Sequence, residues 1–385
     1  VINAVHCPYF ESRQCRSCQW LDRPYTQQLA QKEAELAHFL QPFSAPPFLP
    51  SLASAQSGFR NKAKMVALGT TAQTLLGILG PKAQPISLCA CPLYPTDMQE
   101  VLQAVENWLS TLAIPPYDVK GRRGELKYCL LNRNEQGIFM LRFVLRSSAA
   151  ISAIRDALPN FLASQPQIQT VSVNIQPLHA AIIEGPEEQI LLGNPWLCQT
   201  LNDIPLYQRP KGFFQTNSTM AESLYATAAQ WLKDLHIKEI WDLFCGSGGF
   251  GLHCLTPERT LVGIEIEEEA IACAKRSAEE LGVQLQVSFR ALDSGNFTDN
   301  KANTDGAIAV PDVIIANPPR RGLGQQLCND LCTINPPYIL YSSCNAQTLA
   351  KDLEHLPQYS LQKVQLFDMF PNTAHYEVLV LLARI

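Results

Sequence analysis

The chain has 385 residues, a mass of 42.7 kDa and a formal net charge of −5, with 46% apolar and 17% charged residues. That length implies two or three domains, and the composition excludes a mostly disordered chain. It also excludes a nucleic-acid partner announced by a global basic excess. The charge is uneven, however: the first 130 residues carry 12 basic and 9 acidic side chains, the remainder 18 and 26. Arg60, Lys62 and Lys64 cluster, as do Lys120, Arg122, Arg123 and Lys127. Such patches attract phosphates locally even on an acidic protein.

Residues 1–20 read as a cysteine-rich loop, with Cys7, Cys15 and Cys18 close together and Cys89 and Cys91 following after a long gap. A CxxC pair, a third nearby thiolate and a distant fourth suit four-fold sulfur ligation of zinc or of a cubane iron–sulfur cluster, and spacing alone does not separate the two. Nor does it choose between Cys89 and Cys91 as the fourth ligand. Thirteen cysteines in a long chain, without a basic-then-apolar leader or a membrane-length apolar run, fit a reducing cytoplasm better than a secreted disulfide scaffold. The expectation is a cytoplasmic protein with no membrane contact and no obligate protein partner.

Residues 25–40 predict an amphipathic helix with Leu29, Leu36 and Leu40 near one face, followed by a proline-rich linker through Pro50. Alternating apolar runs over 59–80, 128–131, 138–145 and 171–175 predict strands, and 98–112 and 148–164 predict helices. This stretch reads as a central α+β domain over 51–205, after a first segment over 1–50.

The pattern changes near residue 205. A helix over 218–235 precedes an apolar strand over 239–244. Strands at 261–266, 312–317 and 338–341 alternate with helices at 268–281, from about 323 and at 346–353, with a further strand and loop before Asp312. Final strands cover 361–367 and 376–382. This alternation predicts an α/β domain over 206–385 with a doubly wound, mostly parallel sheet, whose ligands bind at the carboxyl ends of the strands.

The first of those strands runs into Cys245-Gly-Ser-Gly-Gly-Phe-Gly251. A glycine-rich turn lets backbone approach a ligand closely, and Glu265, at the end of the next strand, suits two ribose hydroxyls. The glycine order departs from the dinucleotide fingerprint. Together with Asp242, Glu265 and Asn317-Pro-Pro319, it points to S-adenosylmethionine rather than a pyrophosphate-bearing cofactor.

Asp242-Leu-Phe-Cys-Gly-Ser-Gly-Gly-Phe-Gly251, Asn317-Pro-Pro-Arg-Arg-Gly322, Ser342-Ser-Cys-Asn345, His375-Tyr-Glu377 and the N-terminal cysteines together resemble the RNA uracil-C5 methyltransferases. The resemblance covers essentially the whole chain. It implies a class I S-adenosylmethionine-dependent methyltransferase domain at the C-terminus and an N-terminal iron–sulfur segment. The implied [4Fe–4S] ligands are Cys7, Cys15, Cys18 and Cys91, and the implied cofactor contacts are Gln215, Phe244, Glu265 and Asn317. Many relatives carry Asp where this chain has Asn317. The compact form, with the cysteine motif standing first and no RNA-binding barrel ahead of it, implies 23S ribosomal RNA as partner and uracil 747 as target.

The implied chemistry explains the residue types. Uracil C5 is a poor nucleophile until a thiolate adds to C6, so the reaction needs a cysteine nucleophile and a base that later removes the C5 proton. Cys344, in a polar loop after the strand at 339–341, is the implied nucleophile, and Glu377 the implied general base. Arg320 and Arg321 suit RNA phosphates, and Phe213 a flipped base. Enzymes that methylate adenine amines also use Asn-Pro-Pro, but follow it with an aromatic residue where this chain has Arg320. An iron–sulfur redox enzyme and a noncatalytic RNA-binding protein are the competing classes.

Overall fold

The computed structural model describes residues 5–293 and 310–385. The loop expected before Asp312 lies in part outside the described residues. Eight strands form the larger sheet, in the order Leu49–Leu52, Tyr359–Phe367, Glu377–Arg384, Tyr338–Ser343, Val313–Ala316, Glu239–Leu243, Thr260–Glu265 and Val287–Ala291. All neighbours pair in parallel except Glu377–Arg384, which runs antiparallel to both strands beside it. The central parallel strands are near-continuous Val, Ile and Leu because helices cover both faces. One face packs on the helix Ser218–Lys233 and the short helix Gly249–Cys254, the other on Gly324–Ile334 and Ala346–Glu354.

A second, seven-stranded sheet takes in residues 62–192. It is antiparallel except for Phe139–Leu145 beside Ile168–Ile175, the pair joined by the crossover helix Ile151–Ser164. The helix Thr96–Thr111 buries Met98, Val101, Leu102, Val105 and Leu109 against one face. A short hairpin, Leu197–Leu201 with Ile204–Gln208, lies between the two sheets in the sequence. Two features at the N-terminal side were not visible in local patterning. The helix Tyr25–Leu40 buries Leu36 and Leu40 in the core of the C-terminal sheet, and Leu49–Leu52 adds an edge strand to that same sheet.

The expected iron–sulfur segment is corrected here. Among the described residues, no group of three or more His, Cys, Asp or Glu side chains is placed to hold a metal ion. Packing and hydrogen bonds anchor this stretch instead. Tyr9 and Cys15 lie against the core of the seven-stranded sheet, Trp20 is buried, and the Trp20 amide donates to the Asn372 carbonyl at 3.0 Å.

Candidate active site

Five residues singled out in the sequence stand in one row along the edge of the larger sheet. Phe244, Asn317 and Cys344 directly follow the parallel strands Glu239–Leu243, Val313–Ala316 and Tyr338–Ser343, and Glu265 ends Thr260–Glu265. Glu377 opens the antiparallel strand beside Tyr338–Ser343, so its first residue comes to the same edge. The row reads Glu377, Cys344, Asn317, Phe244, Glu265. With neighbouring strands about 4.8 Å apart, it spans about 19 Å. Ligands of parallel α/β sheets bind at this edge.

At the Glu265 end the backbone is shaped to admit a ligand. The Glu265 carboxylate accepts from the amides of Gly246 (3.2 Å), Ile266 (2.8 Å) and Glu267 (3.2 Å). These bonds hold it over the glycine turn. Phe244 adopts φ of 60°, which is uncommon for a bulky residue and is found where surrounding structure over-determines the backbone. A Cβ at Gly246 would meet nothing within 4 Å, so open space adjoins the carboxylate. A Cβ at Gly249 would stand 2.7 Å from the Tyr225 ring and hydroxyl, so only glycine lets the turn close on that helix. An open cradle with a fixed carboxylate fits the ribose of an adenosyl ligand.

Asp242 lies beneath this turn. Its Oδ2 accepts from the Gly251 amide at 2.9 Å, while Oδ1 has no hydrogen-bond partner among the described residues. Burial pushes its carboxyl up to about 7, opposed by the Gly251 bond. A carboxyl raised in the folded state stabilises it most below the unfolded value, and that contribution is lost as pH climbs through the folded one. Asp242→Asn is therefore expected to flatten the fall in stability between pH 5 and pH 8, by an amount on the order of a few kcal/mol. Urea midpoints at the two pH values check this.

At the other end, Cys344 is half-buried in the turn between its strand and the helix Ala346–Glu354. Asn345 caps that helix by accepting from the amides of Gln347 and Thr348. Burial and the negative charge of Glu377 push the Cys344 thiol up to about 11, and the positive charge of Arg320 opposes them. Glu377 is 3% exposed, and burial raises it to about 7 against the hydrogen bond from Ser342, whose Oγ donates to Oε1 at 2.5 Å. Arg320 bridges the loop that carries His375 and the helix that follows Cys344. Its Nη2 donates to His375 Nδ1 at 2.9 Å, while its carbonyl accepts from Thr348 Oγ1 at 3.2 Å. Burial and the Arg320 charge lower the His375 pKa, which keeps the ring neutral and able to accept.

Gln215 stands apart from the row, in the loop before the helix Ser218–Lys233, where its carbonyl accepts from Asn61 Nδ2 at 2.9 Å. The two phenylalanines before it are divided: Phe214 is buried in the core under the sheet, and Phe213 is 73% exposed. Of the basic clusters, Lys120, Arg122 and Arg123 are exposed on one turn, but Lys127 is buried. Its Nζ donates to Gln176 Oε1 and the Leu178 carbonyl, both at 2.7 Å. Charge counting in the sequence could not tell this structural lysine from its exposed neighbours.

The family described as tRNA (uracil-5-)-methyltransferase matches residues 167–385. The chain is 51% identical over 381 residues to a 23S rRNA (uracil(747)-C(5))-methyltransferase RlmC from Pectobacterium carotovorum, covering 99% of this chain and 100% of that one. It is 52% identical over 384 residues to an RlmC from Shewanella sp. strain ANA-3, covering 99% of each. The chain belongs to the RNA uracil-C5 methyltransferase family. It is an S-adenosylmethionine-dependent enzyme that methylates C5 of uracil through a cysteine adduct. A solved structure of similar fold is the Pyrococcus abyssi tRNA (uracil-54, C5)-methyltransferase, at a TM-score of 0.78 and 22% identity, covering 96% of this chain and 86% of that one.

In this methyltransferase the cysteines expected to hold a [4Fe–4S] cluster need correction. Cys7, Cys15, Cys18 and Cys91 do line one cavity of about 190 Å³, shared with apolar Tyr9, Leu21, Ile78 and Leu88. They do not form a metal-holding group. Burial, with the negative charges of the neighbouring cysteines, pushes Cys18 up to about 12 and Cys91 up to about 11. Cys15 Sγ turns to the Ser17 hydroxyl at 3.5 Å. Cys89 lies elsewhere, donating to Glu106 Oε2 at 3.4 Å. Among the described residues no helix is long and apolar enough to cross a membrane.

Proposed function

We propose that this methyltransferase acts on 23S ribosomal RNA at uracil 747, with Cys344 as nucleophile and Glu377 as general base. The observation that carries the residue assignment is the order of the row. Glu377, opening one strand, and Cys344, just past the end of its neighbour, stand at one end, Phe244 and Glu265 at the other, and Asn317 between them. A uracil held between Cys344 and Glu377 thus has its C5 facing the donor's side of the site. The relatives' own substrate supports the choice of RNA and of nucleotide.

Each residue then has a defined task. Glu265 holds the ribose and Phe244 lies along the adenine. Asn317, midway along the row, supplies an amide hydrogen bond to the donor, and Gln215 supplies another from the loop before the helix Ser218–Lys233. S-adenosylmethionine supplies the methyl group as an electrophilic sulfonium methyl. Cys344 adds to C6 as the thiolate, and the positive charge of Arg320 favours that form. Glu377 takes the proton from C5, and its raised carboxyl suits a base working near neutral pH. The exposed Phe213 offers a face on which an unstacked base can rest, and the Lys120–Arg123 turn offers phosphate contacts.

The test is the position of the product. Unmodified 23S RNA is incubated with the protein and S-adenosylmethionine, digested, and its fragments weighed. A single added methyl at uracil 747 is expected. A methyl on a different uracil, or on transfer RNA in preference, would overturn the assignment of substrate.

A further inference from the structure

Ser342 is fully buried near the end of the strand Tyr338–Ser343, whose preceding residues Ile339, Leu340 and Tyr341 fill the core. A hydroxyl taken out of water among such neighbours is unfavourable unless it is bonded. Antiparallel register sets Ser342 opposite Leu379, two residues along from Glu377, so Glu377 and Ser342 are diagonal neighbours on one face. The Ser342 hydroxyl donates to Glu377 Oε1 at 2.5 Å.

We propose that Ser342 is a positioning residue for proton removal, holding Oε1 so that Oε2 is presented to the C5 hydrogen. This rests on the reading of Glu377 as the base. In that step the C5–H bond breaks and the proton passes to Oε2. The electron pair left behind forms the C5=C6 double bond, and the pair of the C6–S bond returns to Cys344 as thiolate. A hydroxyl donating to the carboxylate also favours its ionised form, against the burial that raises it. The other groups facing Glu377 do not supply this. Cys344 and Tyr225 are both pushed up by its negative charge, and Phe367, paired with it on the opposite strand, is apolar. Arg320 is the cation acting on Cys344.

The test is Ser342→Ala, which removes one oxygen from a packed site without adding bulk. Formation of the Cys344–RNA adduct and the KM for RNA should stay as in the unmodified protein. Release of the C5 proton in single turnover should slow about tenfold to a hundredfold at pH 7, with the methylated adduct accumulating. The acid limb of the release profile should move up by about one pH unit, since losing the donor raises the carboxyl. A packing role alone would lower every step together and leave that limb in place. Glu377→Gln is run alongside. If Glu377→Gln traps the adduct while Ser342→Ala releases the proton with an unshifted profile, the Ser342 role is wrong and the base assignment stands. If Glu377→Gln releases the proton at the unmodified rate, the base assignment fails and this inference fails with it.

Discussion

Cys344→Ala is expected to abolish turnover, lowering the single-turnover rate by about 10⁴-fold or more, while affinity for RNA and for S-adenosylmethionine is retained. The other described cysteine at this edge, Cys245, is buried in the glycine turn beside Phe244. The neighbouring thiols Cys328 and Cys332 lie on the helix Gly324–Ile334 and bond to backbone carbonyls of Asp352 and His355. Without the thiolate, C6 of the uracil stays unsaturated and C5 gains no enolate character, so methyl transfer has no driving nucleophile. A thiol held near 11 by burial and by Glu377 is mostly protonated at neutral pH, so adduct formation should quicken as pH rises through neutrality. Gel-stable protein–RNA adduct, followed over time at several pH values, measures both. Adduct formation by the Cys344→Ala variant would remove the assignment.

Lys32→Met is expected to destabilise the fold by about 3–5 kcal/mol, the usual consequence of leaving one partner of a buried ion pair alone. Lys32 Nζ meets Asp368 Oδ1 at 2.5 Å with both side chains fully buried, and also donates to the Phe370 carbonyl at 3.2 Å. Tyr25 donates to the other Asp368 oxygen at 2.7 Å. Nearby, Gln28 Oε1 accepts from the Asn372 amide at 2.8 Å, and Tyr376 donates to Glu35 Oε1 at 3.2 Å. The helix Tyr25–Leu40 thereby clamps the loop from Asp368 to Tyr376, which delivers Glu377 to the site. The variant should therefore lose activity before it loses the sheet. Replacing both partners with apolar residues, Lys32→Met with Asp368→Leu, should recover much of the stability, because no charge is then left buried and unpaired. Urea unfolding of the two single variants and the double variant gives the coupling. Single variants as stable as the unmodified protein would show that the pair does not hold the helix to the loop.

The C-terminal sheet was readable because its signals are local. Runs such as Val313–Ala316 are apolar throughout, alternate with helical periods, and end in Gly, Asn or Cys turns. The strand Leu49–Leu52 was not readable. It is four residues long, contains Pro50, and pairs with Tyr359–Phe367 some three hundred residues away, a contact that no local pattern encodes. The hairpin Leu197–Leu201 with Ile204–Gln208 was missed for a related reason: its turn residues Asn202 and Asp203 sit inside a stretch without strong alternation. At the site, the residue types and the glycine turn were legible, and the resemblance attached roles to them. The partners were not legible. Ser342 beside Glu377 follows only from antiparallel register, and Arg320 beside His375 only from the meeting of two loops. The cysteine spacing predicted four-fold sulfur ligation without choosing between Cys89 and Cys91; the resemblance implied Cys91, which shares a cavity with Cys7, Cys15 and Cys18. The spacing could not show that no metal-holding group would form.

In the proposed reaction a thiol and a carboxylate at one edge of the sheet exchange the C5 hydrogen of a uracil for a methyl group. Proton release from C5 tests it most directly. Unmodified 23S RNA bearing tritium at uracil C5 is mixed with the protein, and tritium entering water is counted with and without S-adenosylmethionine. Release is expected to be stoichiometric and to need S-adenosylmethionine, and the methylated adduct to retain tritium when Glu377 is replaced by Gln. Methyl transfer to that RNA with tritium fully retained by the unmodified protein would place the chemistry at another atom and contradict the account.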